Sequence, residues 1–150
     1  MTRRRTGSIG AQRAWATLAL VGAAACGGTT DPGASGTPVV GSWSYAGQQL
    51  SPAATTLTGV LTFNSQTGAQ IAGSLDVVET DARGLQRRLA GPLAGRTADA
   101  TTLDFEIVLG AASRRHVGRV SRDSLTGSWI ETGTNGLPTA SGTFRAAHGR

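Results

Sequence analysis

From Val39 onward, apolar and polar residues alternate with a period of two. Leu57, Gly59, Leu61 and Phe63 fall on one side of an extended chain, with Thr58, Val60 and Thr62 on the other. Ile71, Gly73, Leu75 and Val77 alternate with Ala72, Ser74 and Asp76. Leu103, Phe105, Ile107 and Leu109 alternate with Asp104 and Glu106, and Leu125, Gly127 and Trp129 with Thr126 and Ser128. Successive strand residues point to opposite faces, so each run is a half-buried antiparallel strand. The pattern predicts eight strands, near 39–46, 56–64, 70–79, 86–94, 101–109, 115–121, 124–131 and 139–147. Turn residues separate them, among them Asn64 to Gly68, Arg122-Asp123 and Thr132 to Gly136.

A short unit recurs along these strands: glycine, any residue, then a large apolar residue. It occurs at Gly41-Ser42-Trp43, Gly59-Val60-Leu61, Gly73-Ser74-Leu75, Gly91-Pro92-Leu93, Gly118-Arg119-Val120, Gly127-Ser128-Trp129 and Gly142-Thr143-Phe144. Glycine weakens a strand interior, so its repetition calls for a reason. Strongly coiled strands in a small closed barrel supply one, and inward glycines would leave volume unfilled there. The predicted fold is all-β: an antiparallel up-and-down eight-stranded barrel, with a β-sandwich as the alternative.

The chain before Val39 is of another kind. Arg3, Arg4, Arg5 and Arg13 precede an apolar run from Trp15 to Ala25 that only Thr17 interrupts. A basic start, a short apolar run and small residues at its end make an export signal. The run is shorter than the ~20 residues that span a bilayer. Residues 27–38 are rich in Gly, Pro, Ser and Thr and read as a flexible linker. The organisation expected is a leader over 1–25, an anchor and linker over 26–38, and one β-domain over 39–150. The formal net charge of +5 is mostly the leader's, because four of the 14 basic residues leave with it. The remaining chain is close to neutral, which argues against a nucleic-acid partner.

Cys26 is the single cysteine. With Val21-Gly22-Ala23-Ala24-Ala25 before it, it resembles the lipobox of bacterial lipoproteins. That resemblance implies cleavage before Cys26, a lipid on its thiol, and a membrane as partner through the anchor. Gly27 stands where an aspartate would resemble an inner-membrane retention signal, so the implied location is the cell envelope at the outer membrane. The Gly41-Ser42-Trp43 strand, followed by short antiparallel strands, resembles the calycin superfamily of lipocalin-like and avidin-like barrels. The resemblance implies ligand binding as a habit of the class, with Arg145 packing over Trp43 as in lipocalins.

Alternate loops of an up-and-down barrel share one end. The loops expected near 47–55, 80–85, 110–114 and 132–138 are the longer set and are expected to form an open mouth. Arg83, Arg87, Arg88, Arg114, Arg115 and His116 fall at that end. The expectation is a basic collar over an apolar interior containing Trp43, Tyr45, Phe63, Phe105, Trp129 and Phe144. Such a site suits an apolar or acidic amphiphilic molecule, headgroup on guanidinium, tail inward. Two histidines, His116 and His148, do not make a metal set, and no nucleophile motif or phosphate loop is present. No cofactor and no enzymatic activity are therefore expected. The competing expectation is a filled, non-enzymatic envelope module acting through its outer face, where Val60, Val78, Val117 and Ile130 are candidate contact residues.

Overall fold

The inward positions close the sheet on itself in the computed structural model, which describes residues 37–149. The expected leader, Cys26 and most of the expected linker lie outside the described residues. Eight strands follow in order: β1 (Gly41–Ser51), β2 (Thr55–Thr67), β3 (Gln70–Asp81), β4 (Gln86–Thr97), β5 (Thr102–Leu109), β6 (Ala112–Ser121), β7 (Ser124–Thr132) and β8 (Pro138–His148). Each pairs antiparallel with its sequence neighbour, and β8 returns to β1 to close the barrel. This is the up-and-down barrel, and the sandwich is set aside. Closure leaves no open sheet edge to pair with another chain.

Strand ends differ from the sequence expectation at several points. β1 runs to Ser51, so residues 47–51 are strand and not loop. Both neighbours pair with it there: Gln48 meets Thr56 on β2 and Thr143 on β8. β6 starts at Ala112, three residues early, which places His116 inside the strand rather than at its start. Gly68 and Gly110 open the two-residue β2–β3 and β5–β6 turns at φ +57° and +67°. A positive φ at the first turn position is the tight hairpin geometry that favours glycine.

The core is the barrel interior. Trp43, Leu57, Leu61, Phe63, Leu75, Phe105, Ile107, Leu125 and Trp129 are all buried there. The inward glycines do not leave the spare volume expected of them. A Cβ on Gly59 or Gly73 would strike the backbone of the neighbouring strand, at Asp76 and Thr62. At Gly118 the Leu125 side chain and the Phe144 ring occupy the space, and at Gly127, its partner across β6 and β7, the Val117 carbonyl and the Phe144 ring do. The glycines allow close strand approach and flat aromatic packing.

One end of the barrel is stoppered. Val39 is buried beneath it, and its carbonyl accepts the Trp43 indole N–H at 2.9 Å. Its N–H donates to Gln66 Oε1 at 3.1 Å. A register shift between Phe63 and Ser65 turns Gln66 inward for this bond. Thr37 donates to the Ala100 carbonyl from both its backbone N–H and its hydroxyl. The last two residues of the expected linker, Thr37 and Pro38, thus belong to the domain.

Candidate functional site

The other end carries the loops 52–54, 82–85, 110–111 and 133–137. Strand alternation puts Gln49, Glu79, Arg87, Arg114 and Glu131 on inward positions near that end. Buried polar groups cost stability unless partnered, so their bonds are informative.

Arg114 is the extreme case. Its side chain is 0% exposed. Nη2 and Nε both donate to Glu131 Oε2, at 2.7 Å and 3.2 Å. The guanidinium lies 4.0 Å from the Trp129 ring centroid, a cation–π contact. Trp129 lies flat across β8 because Gly142 has no side chain, and a Cβ there would meet Trp129 Cζ2 at 2.5 Å. Glu131 Oε1 accepts a bond from the Thr139 hydroxyl at 3.2 Å. Among the described residues, two buried side-chain donors keep no partner: Arg114 Nη1 and Trp129 Nε1.

One inward step deeper sits His116, also 0% exposed. Its Nδ1 is 3.2 Å from the Arg114 carbonyl, which only accepts, so Nδ1 carries the proton. Nε2 then accepts the Tyr45 hydroxyl at 3.2 Å. Burial, with the Arg114 charge adding to it, pushes the His116 pKa down to about 3, so the ring is neutral. Burial likewise pushes the Tyr45 hydroxyl well above its ordinary value. His116 stacks on Phe105 at 4.9 Å and meets Phe144 edge-on at 4.9 Å. Tyr45 stacks on Phe144 at 5.7 Å. Phe63 packs edge-on against Phe105 at 5.6 Å and against Trp43 at 6.3 Å. The six aromatic residues expected inside are there, joined with His116 in one packed cluster.

The basic collar is not formed. Arg88 and Arg115 point away from the interior, because alternation gives the inward places to Leu89, Arg114 and His116. They make outer-wall ion pairs with Asp76 and Asp104. These bonds hold both carboxylates below the usual range. Arg87 is at the rim, 66% exposed, and pairs with Glu79, which also accepts from Thr55. Arg83 is exposed in a loop pinned by Asp81 Oδ1, which accepts from the Arg83 and Leu85 N–H groups. Arg145 faces outward between buried Phe144 and Ala146, and His148 meets Trp43 instead, ring to ring at 4.9 Å. Val60 and Val78 lie on β2 and β3, and Val117 and Ile130 on β6 and β7, so the expected outer patch divides into two pairs on different walls.

The sequence reading misses Glu131. The signal is present: the inward series Leu125, Gly127, Trp129 ends on that glutamate when continued by two. Three leucines at the open end are also noteworthy. Leu50, Leu85 and Leu137 are 60%, 73% and 60% exposed, on β1 near its end and in the β3–β4 and β7–β8 loops.

No family model matches this sequence, and no curated protein matches it. Solved structures do share the fold. The chain is similar to EF1p2_mFAP2b bound to DFHBI, with a TM-score of 0.59 and 15% identity over 73% of this chain and 93% of that one. It is similar to a de novo designed fluorescence-activating β-barrel, with a TM-score of 0.55 and 14% identity over 74% and 94% of the two chains. A redesigned barrel, mFAP1, bound to DFHBI, gives 0.55 and 15% over 73% and 94%. The likeness is one of fold: a small closed eight-stranded antiparallel barrel.

Proposed function

We propose that this chain is a lipid-anchored envelope protein whose barrel holds a small apolar or amphiphilic molecule at its open end, without catalysing a reaction. The observation that carries the binding reading is the Arg114–Trp129–Glu131 group. Folding alone favours apolar residues at such inward positions, and here a fully buried guanidinium and an indole are left with free donors. The two ends of the barrel support the same reading, since one is stoppered by Val39 and the other carries three exposed leucines. Barrels of this fold hold DFHBI in two of the neighbours named above. Membrane attachment rests on the lipobox resemblance around Cys26 and would need more than one acyl chain for stable holding.

Native mass spectrometry of the chain from Gly27 onward, purified from a bacterial host without detergent, tests the binding reading. A reproducible adduct released on denaturation is the expected result. A clean apo mass, unchanged after incubation with fatty acids, phospholipids and neutral apolar molecules, overturns it. Anchoring is tested separately. A clickable palmitate should label the full-length protein in cells and fail to label Cys26→Ala.

One observation favours a second reading, a filled barrel working through its wall. The interior aromatics pack against one another, and a shallow groove of about 380 Å³ lies outside, across β1, β8 and β7, lined by Ser44, Ala46, Thr126, Arg145 and Ala147. The clean apo mass is the outcome that selects it.

A further inference from the structure

We infer that Arg114 Nη1 and Trp129 Nε1 act together as an acceptor-binding pair, and that the molecule held there is neutral, with a carbonyl-type oxygen on an apolar body. The inference rests on the binding reading above and names the ligand class for that site.

Both free groups are donors, with no acceptor capacity. The guanidinium carbon lies 4.0 Å from the indole ring centroid, so the two free donors belong to side chains in direct contact. Leaving either unpaired in a buried site costs free energy that an acceptor oxygen recovers. The ligand atom at this point is therefore an oxygen acceptor.

Charge decides which oxygen. The Arg114 cation is already matched by Glu131, whose Oε2 accepts from both other guanidinium nitrogens. A carboxylate or phosphate would bring a second negative charge beside Glu131 in a site screened poorly by water. A ketone, ester or amide carbonyl satisfies the donors without that repulsion. At the rim, Arg87 is likewise matched by Glu79 and Arg83 stands alone in the 82–85 loop, so the open end offers no unneutralised pair of guanidinium groups to an acidic headgroup. The exposed leucines Leu50, Leu85 and Leu137 at the same end favour an apolar body over a polar one.

The test uses the full-length chain with 15N-labelled tryptophan. The Trp43 indole already donates to Val39, so its signal is an internal control. Trp15 is assigned by a Trp15→Phe variant. The probes are octan-2-one, octanoate and octane at neutral pH. Octan-2-one should move the Trp129 indole N–H resonance, leave that of Trp43 in place, and bind about tenfold more tightly than either other probe. Trp129→Phe keeps an aromatic face and loses the donor, and should bring the ketone close to the alkane. Arg114→Lys keeps the charge beside Glu131 and should lower the ketone's advantage in the same way. Octanoate binding more tightly than the ketone overturns the neutral assignment. Equal binding of ketone and alkane with the Trp129 signal unmoved overturns the donor pair and leaves the binding barrel standing. Absence of binding by all three overturns both.

Discussion

At the scale of single residues, the glycines and His116 show how a side chain's neighbours decide its role. The Gly-x-apolar repeat was legible, and it lies on strands of a closed barrel. The use made of the inward glycines was not, because alternation gives the face a glycine lies on and not how closely the paired strand approaches it. Gly73 faces the Thr62 backbone at a distance no Cβ tolerates, whereas Gly68 has open space around it and only its φ to satisfy. Gly73→Ala should therefore cost about 3 kcal/mol or more through overpacking. Gly68→Ala should cost about 1 kcal/mol through left-handed strain alone. Urea midpoints of the two variants check the contrast. His116 gives a pH prediction. An unfolded chain protonates it near its ordinary value of 6.5, while the folded ring stays neutral down to about 3. Above 6.5 both states are neutral and the residue contributes no pH dependence. Between those values the unfolded state alone binds the proton, so stability falls as pH falls, by at most ~1.4 kcal/mol per unit. His116→Phe should flatten the slope of the urea midpoint between pH 6.5 and 4.5, and an unchanged slope would contradict a buried neutral ring.

Among the elements, all eight strands were legible from period-two alternation, and the errors sit at their ends. Alternation ends β1 early because Ala46 to Gln49 carry no large apolar residue, yet two partners hold that stretch by backbone pairing. By sequence pattern the segment 37–40 divides into linker up to Pro38 and strand from Val39. It is neither, since it forms the stopper at the closed end. Its register depends on Gln66, which a bulge turns inward, and a bulge has no signature in simple alternation. The stopper has a measurable weight. Val39→Ser loses the burial of a valine side chain and should cost about 2 kcal/mol. It should also make Trp43 more accessible to acrylamide quenching. Arg145→Ser should move neither quantity, because that side chain faces outward and does not pack on Trp43.

For the whole molecule, closure was legible only as a preference, because strand order depends on β8 finding β1 across the length of the domain. The candidate site was legible in part. The aromatic interior followed from alternation, but whether an arginine faces in or out turns on a one-residue difference, and Arg114 and Arg115 fell on opposite sides of it. The finished barrel has a direction. The chain enters at the stoppered end, where Thr37 bonds Ala100, and β1 runs from there toward the open end. In the anchored form proposed here, Cys26 lies upstream of that entry point, so the stoppered end is tied nearer the lipid and the leucine rim is turned away from it. A cysteine at Arg122, in the β6–β7 turn of the stoppered end, and one at Asn135, in the β7–β8 loop of the open end, distinguish the two orientations. With Cys26 acylated, the introduced thiol is the only one free to take a fluorophore. In vesicles carrying a headgroup-attached quencher, the label at position 122 should be quenched more strongly than that at 135. The reverse order would place the open end against the bilayer. The leucines Leu50, Leu85 and Leu137 would then be membrane contacts rather than the approach to the Arg114–Trp129 pair.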